Sequence, residues 1–266
     1  APAHAADACF TFVSTAGARR WATIAGLAIL PGAPHAGALL SLSPSDPILL
    51  RVYDCHLGNS SADGNVFTTS AGTTSEVIFD SCYFAEGNLV ASSVRATVRN
   101  CRFVSNAGRL SRITGLNLTV DNCYFDGTLY SGAGTTAVTT EAYIGPATSA
   151  AIAYRVTNCT FSAPFTNSLV AIQLNNVAGT AISTSVVHED GNIFGASVFG
   201  YLFVVAAGSM GCKFWLGSRI GRYYEVTDNS SPFNIVQEAL DFEHIVVKRT
   251  TNAAQTVTLN GSVPDG

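Results

Sequence analysis

One six-residue pattern returns five times along the chain and leaves the rest to read as spacer. The copies are Val52-Tyr53-Asp54-Cys55-His56-Leu57, Phe79-Asp80-Ser81-Cys82-Tyr83-Phe84, Val98-Arg99-Asn100-Cys101-Arg102-Phe103, Val120-Asp121-Asn122-Cys123-Tyr124-Phe125 and Val156-Thr157-Asn158-Cys159-Thr160-Phe161. Self-similarity of this kind marks a repeat architecture. Three positions are apolar in every copy: the Val or Phe three before Cys, the Cys itself, and the Phe or Leu two after it. Those are the inward positions. The residue just before Cys is Asp54, Ser81, Asn100, Asn122 or Asn158, short polar side chains that tolerate left-handed backbone and bond to nearby peptide groups. A strand therefore turns a corner there.

Successive Cys lie 27, 19, 22 and 36 residues apart. That spacing is too irregular for a leucine-rich or ankyrin array and natural for a stack whose loops vary in length. Each unit reads as one coil of a parallel β-helix, with adjacent coils about 4.8 Å apart and the Cys and Phe columns at the dry centre. Composition agrees. Only 12% of the 266 residues are charged against 47% hydrophobic, with 24 Gly, the profile of an all-β protein with small side chains in layers. The net charge is −4 without a run of Lys or Arg, which argues against nucleic acid as a partner.

Seven Cys are present, and five share one interior column, where they serve as small hydrophobes and are expected as thiols. No CxxC pair and no His/Cys cluster has metal-site spacing, so neither a metal nor a cofactor is indicated. The chain begins Ala1-Pro2-Ala3-His4 without Met, as in a processed or partial chain. The apolar run from Trp21 to Leu30 is too short to cross a membrane and ends at Pro31, so no membrane insertion is expected.

Residues 1–50 hold short apolar runs divided by Gly and Pro, read as a cap or first coils. Residues 51–216 are read as the β-helix. Its pattern weakens after Phe161, with Gly191-Asn192-Ile193-Phe194 like another corner and Gly211-Cys212-Lys213-Phe214 keeping the Cys-x-Phe end. Polar bridges are expected at 59–74, 87–93, 107–115 and 126–149, the last being the longest loop. Residues 217–266 are read as a C-terminal β element or cap, with a short helix at Phe233 to Phe242.

The Val-x-Asn-Cys-x-Phe coils resemble the right-handed, single-stranded parallel β-helix of the pectate-lyase-like superfamily, which includes polysaccharide lyases, polygalacturonases and bacteriophage tailspikes. Residues 52–161 carry the likeness, and it extends loosely to about 216. No catalytic signature of the lyases or polygalacturonases is matched. The low charge, the Ala/Gly/Ser/Thr-rich coils and the distinct tail are most similar to a tailspike or other virion β-helix. That resemblance implies a homotrimer on a virion, in contact with other virion proteins and binding host surface polysaccharide, with cleavage of it left open. The alternatives are a secreted, monomeric polysaccharide lyase or glycoside hydrolase, and a purely structural virion protein.

Candidate site residues follow from the outward columns. One residue after Cys the column reads His56, Tyr83, Arg102, Tyr124, Thr160. Aromatic faces stack on sugars and Arg binds hydroxyls or carboxylates, so His56, Tyr83, Arg102 and Tyr124 form a candidate glycan platform. The plainer reading is that these side chains stack on one another or on a partner subunit; with Tyr83, Phe165 and Phe199 outward, the chain has apolar residues to cover. Two residues before Cys the column reads Tyr53, Asp80, Arg99, Asp121, Thr157. Asp80 and Asp121 lie two coils apart, near the carboxyl spacing of an inverting glycosidase. An Arg99-centred salt-bridge ladder that lowers both carboxyls is the preferred expectation. His188-Glu189-Asp190 is expected as a solvated turn, with an acid/base or cation site as its alternative. Glu86 and Asp126 are expected on one edge of neighbouring turns. No Ser-His-Asp arrangement is identifiable, so catalytic residues are not assigned.

Overall fold

The computed structural model describes residues 10–13, 20–30, 37–43, 47–59, 64–69, 75–107, 110–130, 142–145, 152–163, 169–175, 186–195, 198–204, 213–216, 223–227, 233–235, 244–248 and 257–259. Every paired strand among them is parallel to its neighbours, and no helix is present among them.

The repeat is visible as backbone geometry. Strands are numbered in chain order. Before the corner run β2 (Arg20–Ala25), β5 (Ile48–Tyr53), β8 (Glu76–Asp80), the second halves of β10 (Asn88–Arg99) and β12 (Ile113–Asp121), β15 (Ala153–Thr157) and β18 (Val186–Asp190). After it run β3 (Ala28–Ile29), β6 (His56–Gly58), β9 (Tyr83–Ala85), β11 (Arg102–Val104), β13 (Tyr124–Asp126), β16 (Thr160–Ser162) and β19 (Ile193–Phe194), which form one seven-stranded sheet among the described residues. A third set precedes each corner strand: β1 (Phe10–Phe12), β4 (Leu40–Leu42), β7 (Asn65–Thr69), the first halves of β10 and β12, β14 (Ala142–Gly145), β17 (Leu169–Asn175) and β20 (Val198–Val204). This set and the pre-corner strands belong to one large sheet, joined where β10 and β12 run through both.

The corner residues are Asp54, Ser81, Asn100, Asn122 and Asn158, with φ between 50° and 56°. These are the short polar residues that reach the left-handed region at low cost. Two glycines, Gly26 (φ 62°) and Gly191 (φ 65°), occupy the same position in further copies that lack Cys. Register aligns Ile24, Val52, Phe79, Val98, Val120, Val156, Glu189 and Leu216 in one column, so eight pre-corner strands stack among the described residues, seven of them with a described corner.

The three apolar positions point inward as expected. Val52, Phe79, Val98, Val120 and Val156 are fully buried, as are Leu57, Phe84, Phe103, Phe125 and Phe161, and the five Cys are buried with them. The Phe column is a stack of near-parallel rings: Phe84 and Phe103 are 4.4 Å apart between centroids, Phe103 and Phe125 4.8 Å, Phe125 and Phe161 4.8 Å, Phe161 and Phe194 5.6 Å. The first three separations match the strand spacing, so the aromatic stack and the backbone ladder share one repeat.

Loop length is absorbed between strands. The 19-residue interval between Cys82 and Cys101 has no room for a bridge, so the expected spacer at 87–93 is instead part of β10, a twelve-residue strand with a register shift between Ala91 and Arg95. The expected bridge at 107–115 likewise ends in β12, which starts at Ile113.

Two further readings are corrected. Lys213–Leu216 (β21), read as the Cys-x-Phe end of a further copy, pairs instead with pre-corner β18, aligning Leu216 with Glu189, and Cys212 itself lies outside the described residues. Phe233–Ile235 (β23) is a strand paired with Val257–Leu259 (β25), not the start of a helix. Tyr223–Thr227 (β22) pairs with His244–Lys248 (β24). Phe165 lies outside the described residues, and Phe199 is in β20 opposite Val170.

The Cys column does more than fill space. Each thiol donates to the carbonyl two residues back: Cys55 to Tyr53 (3.3 Å), Cys82 to Asp80 (3.4 Å), Cys101 to Arg99 (3.1 Å), Cys123 to Asp121 (3.3 Å) and Cys159 to Thr157 (3.2 Å). All five are free thiols. The hydrogen bond with Cys101, then burial, push the Cys82 thiol up, and burial does so first at Cys123. Cys101 between them is held down instead, first by its hydrogen bonds with Cys123 and Cys82 and against burial, so it is burial out of a reagent's reach, not protonation, that protects the column. With a chromogenic disulfide reagent at pH 8 the native chain should therefore react at no thiols beyond Cys9 and Cys212, with the column thiols appearing only on unfolding. Rapid titration of more than two thiols in the native state would show that the column is open.

Candidate functional site

The residue after each Cys starts a short strand and faces away from the core, so register places His56, Tyr83, Arg102, Tyr124 and Thr160 in one outward column. Ala28 precedes it and Ile193 follows it. The candidate residues are therefore brought together, and they contact in pairs. The His56 and Tyr83 rings meet edge to face at 4.6 Å and 83°. The Arg102 guanidinium lies over the Tyr124 ring, Cζ 5.2 Å from its centroid, and Arg102 Nη2 reaches Asp126 Oδ2 at 3.0 Å. Asp126 also accepts from the Thr128 hydroxyl at 2.6 Å and its N–H at 3.2 Å. Burial opposes ionisation of Asp126, but the Thr128 and Arg102 contacts outweigh it and hold the carboxyl below its ordinary value. The Arg102 guanidinium is thus held by two partners while the side chain stays about half exposed. Glu86 sits at a left-handed turn (φ 58°) two repeats from Asp126.

The second outward column holds half of the expected ladder. Arg99 meets Asp80 through Nε and Nη2, each 2.8 Å from Oδ2. Asp121 instead accepts from Thr157 Oγ1 (2.6 Å) and Asn158 Nδ2 (3.1 Å). The reason lies at the corner. Asn158, one position past the column, turns its amide back onto Asp121, just as Asn100 turns onto Asp80 (2.9 Å), and Asn122 donates to Asn100 Oδ1 (2.9 Å). The corner amides therefore form their own polar ladder along the stack edge.

Asp80 is held below its ordinary value of 3.8, first by the Asn100 amide, against burial, and then by Arg99 and Ser81. A general acid needs the opposite shift, so Asp80 is not suited to protonate a leaving group. The ionised form is favoured by folding, so its stabilisation is present above 3.8 and is lost as pH falls through the lowered folded value. Asp80→Asn should accordingly be less stable than the parent at pH 7, by under about 1 kcal/mol for so exposed a pair, and the gap in urea midpoint should close below pH 3.8. A gap independent of pH would refute the ion-pair account.

His188, Glu189 and Asp190 do not converge and do not form a solvated turn. They lie on β18, with His188 and Asp190 exposed and Glu189 1% exposed in the inward column. Glu189 Oε1 accepts from Asn192 Nδ2 at 2.6 Å. Asn192 holds the Cys position of its repeat; its Oδ1 accepts the Cys159 N–H at 2.7 Å and its Nδ2 also donates to Val156 O at 3.0 Å. Gly191-Asn192-Ile193-Phe194 reads as another corner in the sequence, and carrying that alignment with the Cys-x-Phe copies back to Glu189 would have shown both residues as interior. A paired buried polar group is replaceable by apolar residues, whereas breaking one side leaves the other unsatisfied. Asn192→Ala should cost about 1–3 kcal/mol in denaturant unfolding, whereas Glu189→Val with Asn192→Cys, which restores the pattern, should recover most of that loss. Equal losses in both variants would contradict the pairing.

No protein-family profile, curated protein or solved structure matches the chain.

Proposed function

We propose that the chain is a right-handed parallel β-helix of the pectate-lyase-like kind, borne on a virion as a tailspike or tail fibre, and that it attaches to host surface glycan along its outer column. Residues 1–50 lead into the helix, 51–216 form it, and 217–266 make a C-terminal β element or cap. One observation carries the attachment reading: His56, Tyr83, Arg102 and Tyr124 stand in register on consecutive parallel strands, with Arg102 anchored by Asp126 and still half exposed. A saccharide chain offers ring faces and hydroxyls in series, and this column offers aromatic faces and a cation in series. The ordering entropy of the site is already spent, since the side chains hold one another.

The flanking corner amides, Asn100 and Asn122, supply hydrogen-bonding groups beside the rings. Cleavage is the less supported extension, because Asp80 is committed to Arg99 and Asn100 in the direction opposed to acid catalysis. A specific observation also favours the purely structural alternative: the paired contacts His56 with Tyr83 and Arg102 with Tyr124 equally describe a surface satisfied within itself.

The discriminating experiment is binding of the full chain to a panel of bacterial surface polysaccharides, with polymer length followed in the same samples. Tyr124→Ala and Arg102→Ala should each weaken binding about tenfold, the loss of one aromatic or cationic contact, while leaving far-UV circular dichroism unchanged. Shortening of the polymer would add a catalytic role. Absence of binding across the panel would move the reading to a structural protein.

A further inference from the structure

The charges around the outward column are committed within the chain. In the four repeats that carry His56, Tyr83, Arg102 and Tyr124, the positions outside the core from two before Cys to three after it hold the carboxylates Asp54, Asp80, Asp121 and Asp126 and the guanidiniums Arg99 and Arg102. Carboxylates are in excess. Each guanidinium is also bonded to one of them, Arg99 to Asp80 through Nε and Nη2 at 2.8 Å and Arg102 to Asp126 through Nη2 at 3.0 Å. Asp126 is the better fixed member of its pair, since its side chain is 15% exposed against 54% for Arg102 and its Oδ1 accepts from both the Thr128 hydroxyl and the Thr128 N–H. Of the other two carboxylates, Asp121 accepts from the neutral donors Thr157 and Asn158, and Asp54 is exposed at its corner. Neither makes an ion pair among the described residues.

The two ion pairs cancel, so these positions keep a net negative charge beside the rings. A guanidinium paired in this way still has N–H groups to donate to hydroxyls. It has no surplus charge for an anion. The carboxylate of an acidic sugar would have to displace Asp126 from Arg102 and approach the remaining carboxylates of the corner edge, a repulsion screened over about 8 Å in physiological salt. We infer that Asp126 is a specificity residue: by neutralising Arg102 it sets the column to take neutral glycan and to reject glycans that carry carboxylates, an inference that rests on the attachment reading above and adds the substrate class to it.

The test measures affinity of the full chain for bacterial surface polysaccharides at pH 8, above the ordinary range of imidazole. Neutral polymers are used as isolated, and acidic polymers before and after reduction of their carboxyl groups to alcohols, which keeps the backbone and removes the charge. The parent should bind neutral polymers, and should bind a reduced polymer about tenfold more tightly than its acidic form, with the acidic form gaining as salt rises. Asp126→Asn keeps the size of the side chain and releases Arg102, so the ratio of acidic to reduced affinity should rise about tenfold, the worth of one charge-assisted contact. Asp54→Asn puts at that corner the residue found at Asn100, Asn122 and Asn158, and should raise the ratio about threefold without touching Arg102. A parent that prefers the acidic form overturns the inference and leaves attachment standing. So does a ratio unmoved in a folded Asp126→Asn chain, or in Asp54→Asn should the first not fold, and the Asp126 pair is then structural. A parent that binds no polymer in either form overturns the attachment reading and the inference with it.

Discussion

The structure depends on how backbone hydrogen bonds change direction at the left-handed corner. Before the corner the N–H groups of Asp54, Ser81, Asn100, Asn122 and Asn158 donate forward, to Asp80, Arg99, Asp121, Thr157 and Asp190 of the next repeat. After it the N–H groups of Tyr83, Arg102, Tyr124, Thr160 and Ile193 donate backward, to the carbonyls of Cys55, Cys82, Cys101, Cys123 and Cys159. Between them sits the N–H of the Cys residue itself, at a point where the backbone ladder offers it no carbonyl. In two repeats the side chain at the same position of the next repeat takes it: Cys101 Sγ accepts from Cys82 N–H at 3.4 Å, and Asn192 Oδ1 from Cys159 N–H at 2.7 Å. A buried N–H must find an acceptor. The position therefore demands a small side chain that tolerates burial, accepts a hydrogen bond and donates one back to a carbonyl, and Cys and Asn meet that demand where Ala or Val would not.

Once the corner is satisfied, the rest of each repeat is free to vary. The inward columns need only apolar side chains of matching size, and the Phe stack keeps register from repeat to repeat because its ring separations equal the strand spacing. The segments between strands then take whatever length the interval leaves. That tolerance follows from the slow growth of loop-closure cost with length, and it accounts for intervals that run from 19 to 36 residues without a break in pairing.

The legible part of the fold was the part written in local chemistry. Val, Cys and Phe at fixed offsets gave the inward columns, and a short polar residue before Cys gave the corner, because left-handed backbone restricts residue type strongly. The Gly191 corner was readable from its Gly-Asn-x-Phe, whereas the Gly26 copy was not, since glycine reaches the same φ for a different reason and no Cys follows it. The third strand of each repeat was hidden by sequences such as Asn88-Leu89-Val90-Ala91-Ser92, whose polar residues resemble a bridge but whose Leu89 and Ala91 are wholly buried. Glu189 was misread because a Glu beside His and Asp looks solvated. Its burial depends on Asn192, three residues on, and on a register that no short window contains. Among the candidate site residues, column membership was readable from the repeat. The pairing within it was not, since Arg102 turns to Asp126, 24 residues on and in the neighbouring strand, and Asp121 turns to Thr157 instead of Arg99.

The same register that builds the core dictates what the surface can do. Inward positions are held to a few residue types by burial, while the position after Cys is held by nothing except its neighbours above and below, so any functional pattern there is a pattern of adjacent repeats. His56 with Tyr83 and Arg102 with Tyr124 are such patterns, each formed by residues 27 or 22 apart in sequence yet on touching strands. A ligand that is itself a chain of similar units meets such a column at several points at once, and a single stacked pair contributes only modestly.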